Sequence, residues 1–108
     1  MDEHLAARVR ELIQARPDVV EKKMFGGVGW MLRGNMAVGV MSTGGLLVRV
    51  PPEEVEEALA EAHVHAFGRP GSKPMKGFVV VDQDVLDDAT LAGWVDRGAA
   101  RALELPPK

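Results

Sequence analysis

The sequence contains no cysteine among its 108 residues. A disulfide framework, a thiolate metal site and a cysteine nucleophile are therefore excluded, and the composition fits a reducing compartment. No apolar run approaches the length of a membrane span, and the first residues are charged, so we expect neither a signal peptide nor a membrane anchor. These absences predict a cytoplasmic protein that has no membrane partner.

Aromatic side chains and a surplus of positive charge are also missing. Tyrosine is absent, and the chain has only three phenylalanines and two tryptophans, which does not favour an RNA-recognition sheet that stacks bases on exposed aromatics. The 13 lysines and arginines face 16 acidic residues, which gives a net charge of −3. Nucleic-acid-binding domains typically have a basic surplus. Non-specific nucleic-acid binding is therefore disfavoured, while a local basic patch stays open.

The central stretch, residues 24–50, consists of short apolar runs separated by glycine and asparagine. It predicts three antiparallel strands, with a two-residue hairpin loop at Gly34-Asn35 and a second turn over residues 42–45. In that register one face is entirely apolar and is assigned to the core. The other face is mixed, and we predict that it contacts a partner through Met31, Arg33, Val38, Val40, Leu47 and Arg49. The alternative is that the N-terminal helix or the tail covers it.

Helices and two further strands are predicted on either side of this meander. Asp2 can cap a first helix, Pro51-Pro52 can begin a second, and Asp87 or Asp88 can cap a third. Apolar runs predict the additional strands at residues 19–24 and 77–82.

The fold class that follows is α+β. We predict a single domain over residues 1–108, with a frayed tail from about residue 104. Its mainly antiparallel sheet would comprise the meander and a later strand, and the N- and C-terminal helices would pack on one face.

Several short motifs together span most of the sequence. They are KMFGG at Lys23–Gly27, GNMAVGV at Gly34–Val40, LLVRV at Leu46–Val50, GRPGSKPMKGFVVV at Gly68–Val81 and LAGWV at Leu91–Val95. With these motifs the chain resembles the TfoX N-terminal domain family, which takes its name from a bacterial competence regulator also called Sxy. The structural motif Met24, Phe25, Gly26 and Gly27, followed by the meander, is a fairly specific part of the likeness.

The resemblance implies a bacterial cytoplasmic protein with an α+β fold, no catalytic residues and no cofactor. In the regulator this domain takes part in transcriptional control by contacting other proteins. We therefore predict a non-enzymatic regulatory domain that binds a protein partner or a second copy of itself. Because the chain ends at Lys108, we expect the second domain of the regulator to be absent.

A basic loop provides the main alternative. Arg69, Lys73 and Lys76 concentrate positive charge over residues 69–76. Such a loop is either solvated or contacts nucleic-acid phosphate. It would make the protein a nucleic-acid-associated transcriptional regulator, in which Arg33 and Arg49 also bind.

Two weaker candidates concern metal and anion binding. His63 and His65 would point the same way in an extended segment and, with His4 or a nearby carboxylate, could bind a metal, although surface histidines at a helix end are the favoured interpretation. Phe25-Gly26-Gly27 could bind an anion through backbone N–H groups. A tight turn between strands is favoured there, because an anion-binding loop should lead into a helix.

Overall fold

The structure, a computed structural model, describes residues 2–24, 26–68 and 77–108. The helices are α1 (Glu3–Ile13), α2 (Val55–Leu59) and α3 (Asp88–Glu104). The strands are β1 (Val19–Met24), β2 (Gly27–Leu32), β3 (Asn35–Val40), β4 (Leu46–Arg49), β5 (Val64–Ala66) and β6 (Phe78–Val81). Short 3-10 turns at Pro52–Glu54 and Gln83–Val85 precede α2 and α3.

The strands of the described residues form one antiparallel sheet in the order β1-β2-β3-β4-β6-β5. Helices α1 and α3 contact each other and pack on one face of it. Gly98 of α3 approaches β3 so closely that a Cβ atom there would overlap the Ala37 carbonyl oxygen and lie 2.7 Å from Val38 Cγ1. The predicted α+β architecture is confirmed.

The hydrophobic core fills the space between this face and the helices. Its largest fully buried side chains are Trp30, Ile13, Leu32, Leu46 and Leu91. Each such side chain contributes about 1.5–3 kcal/mol by leaving water. We call the opposite face, which includes Met31, Leu47 and Phe78, the helix-free face, because the core-packed helices of the described residues all lie on the other side.

The helix starts agree with the predicted caps. Asp2 Oδ1 accepts a hydrogen bond from the Leu5 N–H at 3.0 Å, and Asp87 Oδ1 accepts one from the Thr90 N–H at 2.8 Å. Each bond satisfies a backbone donor that the first turn leaves free. Strand β5 is the element that the sequence analysis missed: its three residues pair with β6 inside a stretch that has no clear periodicity.

The predicted register of the β2–β3 hairpin is wrong. Its loop is Arg33-Gly34, with φ angles of 54° and 84°, and Leu32 pairs with Asn35. Positive φ at both loop positions is the geometry of a type I′ turn. Beyond it, Met31 pairs with Met36 but Trp30 pairs with Val38, so Ala37 is an extra residue that forms a β-bulge.

Because of the bulge, two of the predicted contact residues lie on the core face. The shifted loop changes strand partners but not faces, whereas the extra residue reverses the alternation for the part of β3 that follows Ala37. Val38 and Val40 therefore lie with Trp30 on the core face, 0% and 2% exposed. Gly39, predicted for the core face, is turned to the helix-free face and pairs with Leu47.

The C-terminal tail, for which fraying is predicted, forms two hydrogen bonds to this hairpin. The Lys108 N–H donates to the Arg33 carbonyl at 2.9 Å, and Asn35 Nδ2 donates to the Pro106 carbonyl at 2.9 Å. Asn35 is only 2% exposed, so the tail supplies the acceptor that this buried amide needs.

Candidate functional site

A groove of about 360 Å³ lies on the helix-free face. Its walls are mostly apolar and are formed by side chains from β1, β2, β3, β4, β6 and the residues after β5. Those that define it are Met24, Met31, Met36, Leu47, Phe67 and Phe78, with Arg49 as the charged member. Val28 and Val40 of the core and Lys108 of the tail also border the groove.

Two glycines lie side by side at the centre of the helix-free face. Gly29 of β2 and Gly39 of β3 face each other across the strand pair and carry no side chain toward the helix-free face. A Cβ atom at Gly29 would lie 2.9 Å from Met36 Cε and 3.3 Å from Met24 Sδ. The methionines thus occupy the space over Gly29, and their flexible thioethers can repack around a bound group.

Arg49 is fixed at one wall of the groove. Its Nε donates a hydrogen bond to the Met36 carbonyl at 2.6 Å, and its guanidinium carbon lies 4.5 Å from the centroid of the Phe78 ring. The pairing of β3 with β4 ends at Val38–Val48, so the Met36 carbonyl has no backbone donor from β4. The Arg49 side chain supplies the donor instead. Burial, and secondarily the charge of Arg101, lowers the pKa of Arg49 below the usual arginine value.

Phe78 contacts both Arg49 and Phe67 in the groove. Its ring meets Phe67 edge to face, with centroids 6.1 Å apart. An edge-to-face arrangement is favourable for aromatic pairs. A cation–π contact holds the Arg49 guanidinium over the Phe78 ring. The charged group is therefore positioned before anything binds.

The predicted contact residues divide into three groups. Met31, Leu47 and Arg49 lie in the groove, Val38 and Val40 belong to the core, and Arg33 lies in the hairpin turn outside the groove lining. Four further residues of the groove are not predicted contact residues: Met24, Met36, Phe67 and Phe78. The alternating positions of Phe78 and Val80 opposite Arg49 and Leu47 would have indicated Phe78.

The basic loop and part of the family motif lie outside the described residues. Arg69, Lys73 and Lys76 belong to the first group, and Phe25 to the second. Around Phe25, Met24 pairs with Gly27, and Gly26 has a φ angle of 77°. Gly26-Gly27 therefore joins two strands, and a Cβ atom at Gly27 would overlap the Val40 carbonyl oxygen.

His63 and His65 share one carboxylate. His65 Nε2 lies 3.0 Å from Oδ1 of Asp82, and His63 Nδ1 lies 3.7 Å from its Oδ2. The hydrogen bond with His65, more than that with His63, lowers the pKa of Asp82. Among the residues that the structure describes, no three histidine, aspartate or glutamate side chains are grouped to hold a metal ion. Metal binding by the two histidines stays a prediction.

The family model of the TfoX N-terminal domain matches residues 11–102. The chain belongs to the TfoX N-terminal domain family. The match begins within α1 and ends near the end of α3, so it includes the whole sheet and all of the groove lining except Lys108. No curated relative matches the chain significantly. In the described part of this TfoX N-terminal domain, no helix has the length and apolar character needed to cross a membrane.

Proposed function

We propose that this TfoX N-terminal domain is a non-enzymatic regulatory module of the bacterial cytoplasm that binds another protein through its helix-free face. The observation that carries this proposal is the groove itself. Apolar side chains that a single domain leaves in contact with water commonly mark an interaction surface. Methionines suit such a surface because they adapt to the shape of the partner.

The charges on this face favour a different protein over a second copy of the chain. Lys22 and Arg49 lie on it, while Asp82, the residue that follows β6, is already paired with two histidines. Two such faces brought together would place cations near cations. A partner with acidic residues around an apolar contact is complementary to this surface.

The experiment is affinity capture from cell extract with matched double variants. Met31→Glu with Met36→Glu places two charges at the directly paired, half-buried methionines of the groove. Leu12→Glu with Leu103→Glu makes the same change at two leucines of α1 and α3, each 39% exposed. Circular dichroism establishes that both variants are folded.

We expect the helix variant and the unmodified domain to retain the same protein, and the groove variant to lose it. Retention should weaken only modestly at high salt, because screening reduces the charge contacts of Lys22 and Arg49 but not the apolar contact. Equal capture by both variants contradicts the proposal. If the retained material is nucleic acid and is released by moderate salt, the alternative function through the basic loop replaces it.

A further inference from the structure

The guanidinium of Arg49 has no carboxylate partner among the described residues. None of their acidic groups comes within ion-pair distance of it, whereas Arg8, Arg10, Arg16, Arg97 and Arg101 each have one. The sequence outside the described ranges, residues 1, 25 and 69–76, contains no aspartate or glutamate. The side chains of this chain therefore leave Arg49 without an acidic partner.

The atoms that remain available on Arg49 suit a carboxylate. Nε is occupied by the Met36 carbonyl, and no described residue accepts a hydrogen bond from either terminal nitrogen. A guanidinium presents paired N–H donors in a fixed plane that matches the two oxygens of a carboxylate. The Phe78 ring fixes that plane. Because Arg49 is half-buried, a hydrogen bond from it to an incoming anion would be stronger than the same bond in bulk water.

The remainder of the groove has the character of a small-molecule site. A volume of about 360 Å³, apolar walls and one oriented charged group are typical of such pockets. Gly39 lines the groove between the methionine side and the Leu47–Phe78 side, and because it carries no side chain it leaves room there for an aliphatic or aromatic group.

We propose that the groove is a binding site for a small apolar monocarboxylate, whose hydrocarbon part lies among Met24, Met31, Met36 and Leu47 and whose carboxylate pairs with the terminal nitrogens of Arg49. This binding activity goes beyond protein recognition and does not depend on it. A bound molecule would occupy the surface assigned to the partner and would compete with it.

The test compares three ligands that share one hydrocarbon chain: octanoate, octanol and octylamine. Each is titrated below its micelle concentration into the purified domain, and binding is followed in ¹H–¹⁵N NMR spectra. The backbone amides of Gly29 and Gly39 and the Arg49 Nε–H report the groove directly. We expect octanoate to bind about tenfold or more tightly than octanol, as a charge-assisted hydrogen bond provides, and octylamine to bind most weakly.

Matched arginine variants test whether Arg49 is responsible for the preference for octanoate over octanol. Arg49→Met removes the charge but keeps an apolar stem, and Arg33→Met makes the same change in the exposed hairpin turn. Octanoate should lose its advantage over octanol in the first variant and keep it in the second. Arg49→Lys, which retains the charge, should keep part of it.

Several outcomes overturn the inference. Equal affinities for octanoate and octanol in the unmodified domain show an apolar groove that does not recognise a carboxylate. Shifts that spread over the helices without involving Gly29 and Gly39 show non-specific association. If Arg49→Met does not fold, the three-ligand comparison and Arg49→Lys still decide. Failure of partner capture leaves this result untouched, since the titration uses the domain alone.

Discussion

The indole Nε1 of Trp30 donates a hydrogen bond to Oε1 of Glu21 at 2.9 Å, across the β1–β2 pair. The same carboxylate accepts from Arg10 Nε at 2.7 Å and from its terminal nitrogen at 3.0 Å. Glu21 thus joins the buried tryptophan of the sheet to helix α1. A residue at the partly exposed edge of the molecule completes the hydrogen bonding of the core.

We predict that Glu21→Ala destabilises the domain more than Glu21→Gln. The alanine leaves the N–H of a side chain that is only 2% exposed without its acceptor, which costs about 1 kcal/mol or more. Glutamine keeps an acceptor oxygen for Trp30 and loses only the ion pair, which water screens. Urea unfolding followed by tryptophan fluorescence measures both, and equal losses would show that the indole bond does not contribute.

The charge of Glu21 gives a further prediction about pH. The hydrogen bond with Arg10 is the main reason that the pKa of Glu21 lies below its ordinary value of 4.5. A lowered folded pKa means that the ionised group stabilises the fold above pH 4.5, and that this contribution is lost as pH falls through the folded pKa.

The measurement is the free energy of unfolding of the unmodified domain and of Glu21→Gln between neutral pH and pH about 3. The difference in unfolding free energy between the two proteins should be constant above pH 4.5 and should decrease toward zero below it, because a protonated glutamate resembles glutamine. The paired comparison removes the contributions of Asp82 and Asp87, whose pKa values are also lowered. A difference that stays constant throughout would contradict the prediction.

Two glycines of α3 should respond in opposite directions to alanine. Gly98→Ala forces a Cβ atom into the Ala37 carbonyl and close to Val38, so α3 must move away from the bulge at a cost of about 1–3 kcal/mol. Gly93 is exposed and has nothing within 4 Å of its Cβ position. Gly93→Ala should therefore stabilise the helix by up to about 1 kcal/mol. Thermal unfolding of the two variants measures both changes in stability. A stabilising Gly98→Ala would mean that the contact of Gly98 with Ala37 and Val38 is not tight.

Helix caps and apolar alternation predicted most of the fold. Asp2 and Asp87 are each followed by a helical apolar pattern, and residues 24–50 carry the period of strands. Local signals of this kind are sufficient because capping and alternation depend on neighbours in the sequence. Fold class and the side of the sheet that carries the helices follow from them.

The faces of β3 could not be predicted in the same way. Gly34-Asn35 and Arg33-Gly34 are both acceptable hairpin loops, and the tail, far away in sequence, bonds to Arg33 and Asn35 in the observed one. The bulge at Ala37 lies where Gly98 of α3 approaches β3. Because Gly98 is distant in the sequence, the residues around Ala37 do not indicate the bulge. Without it, Val38 and Val40 are assigned to the face opposite the core, and Gly39 to the core face.

Asn35 provides the last prediction, which concerns the tail. Its buried amide donates to the Pro106 carbonyl, so Asn35→Ala should free this anchor at a cost of about 1 kcal/mol, and Asn35→Asp should cost more because a carboxylate would face a carbonyl acceptor. The Lys108 N–H bond to Arg33 should then open together with it, which amide hydrogen exchange at Lys108 detects. Lys108→Ala is the control, since it keeps that backbone bond. Unchanged protection at residue 108 in Asn35→Ala would show that Asn35 does not hold the tail.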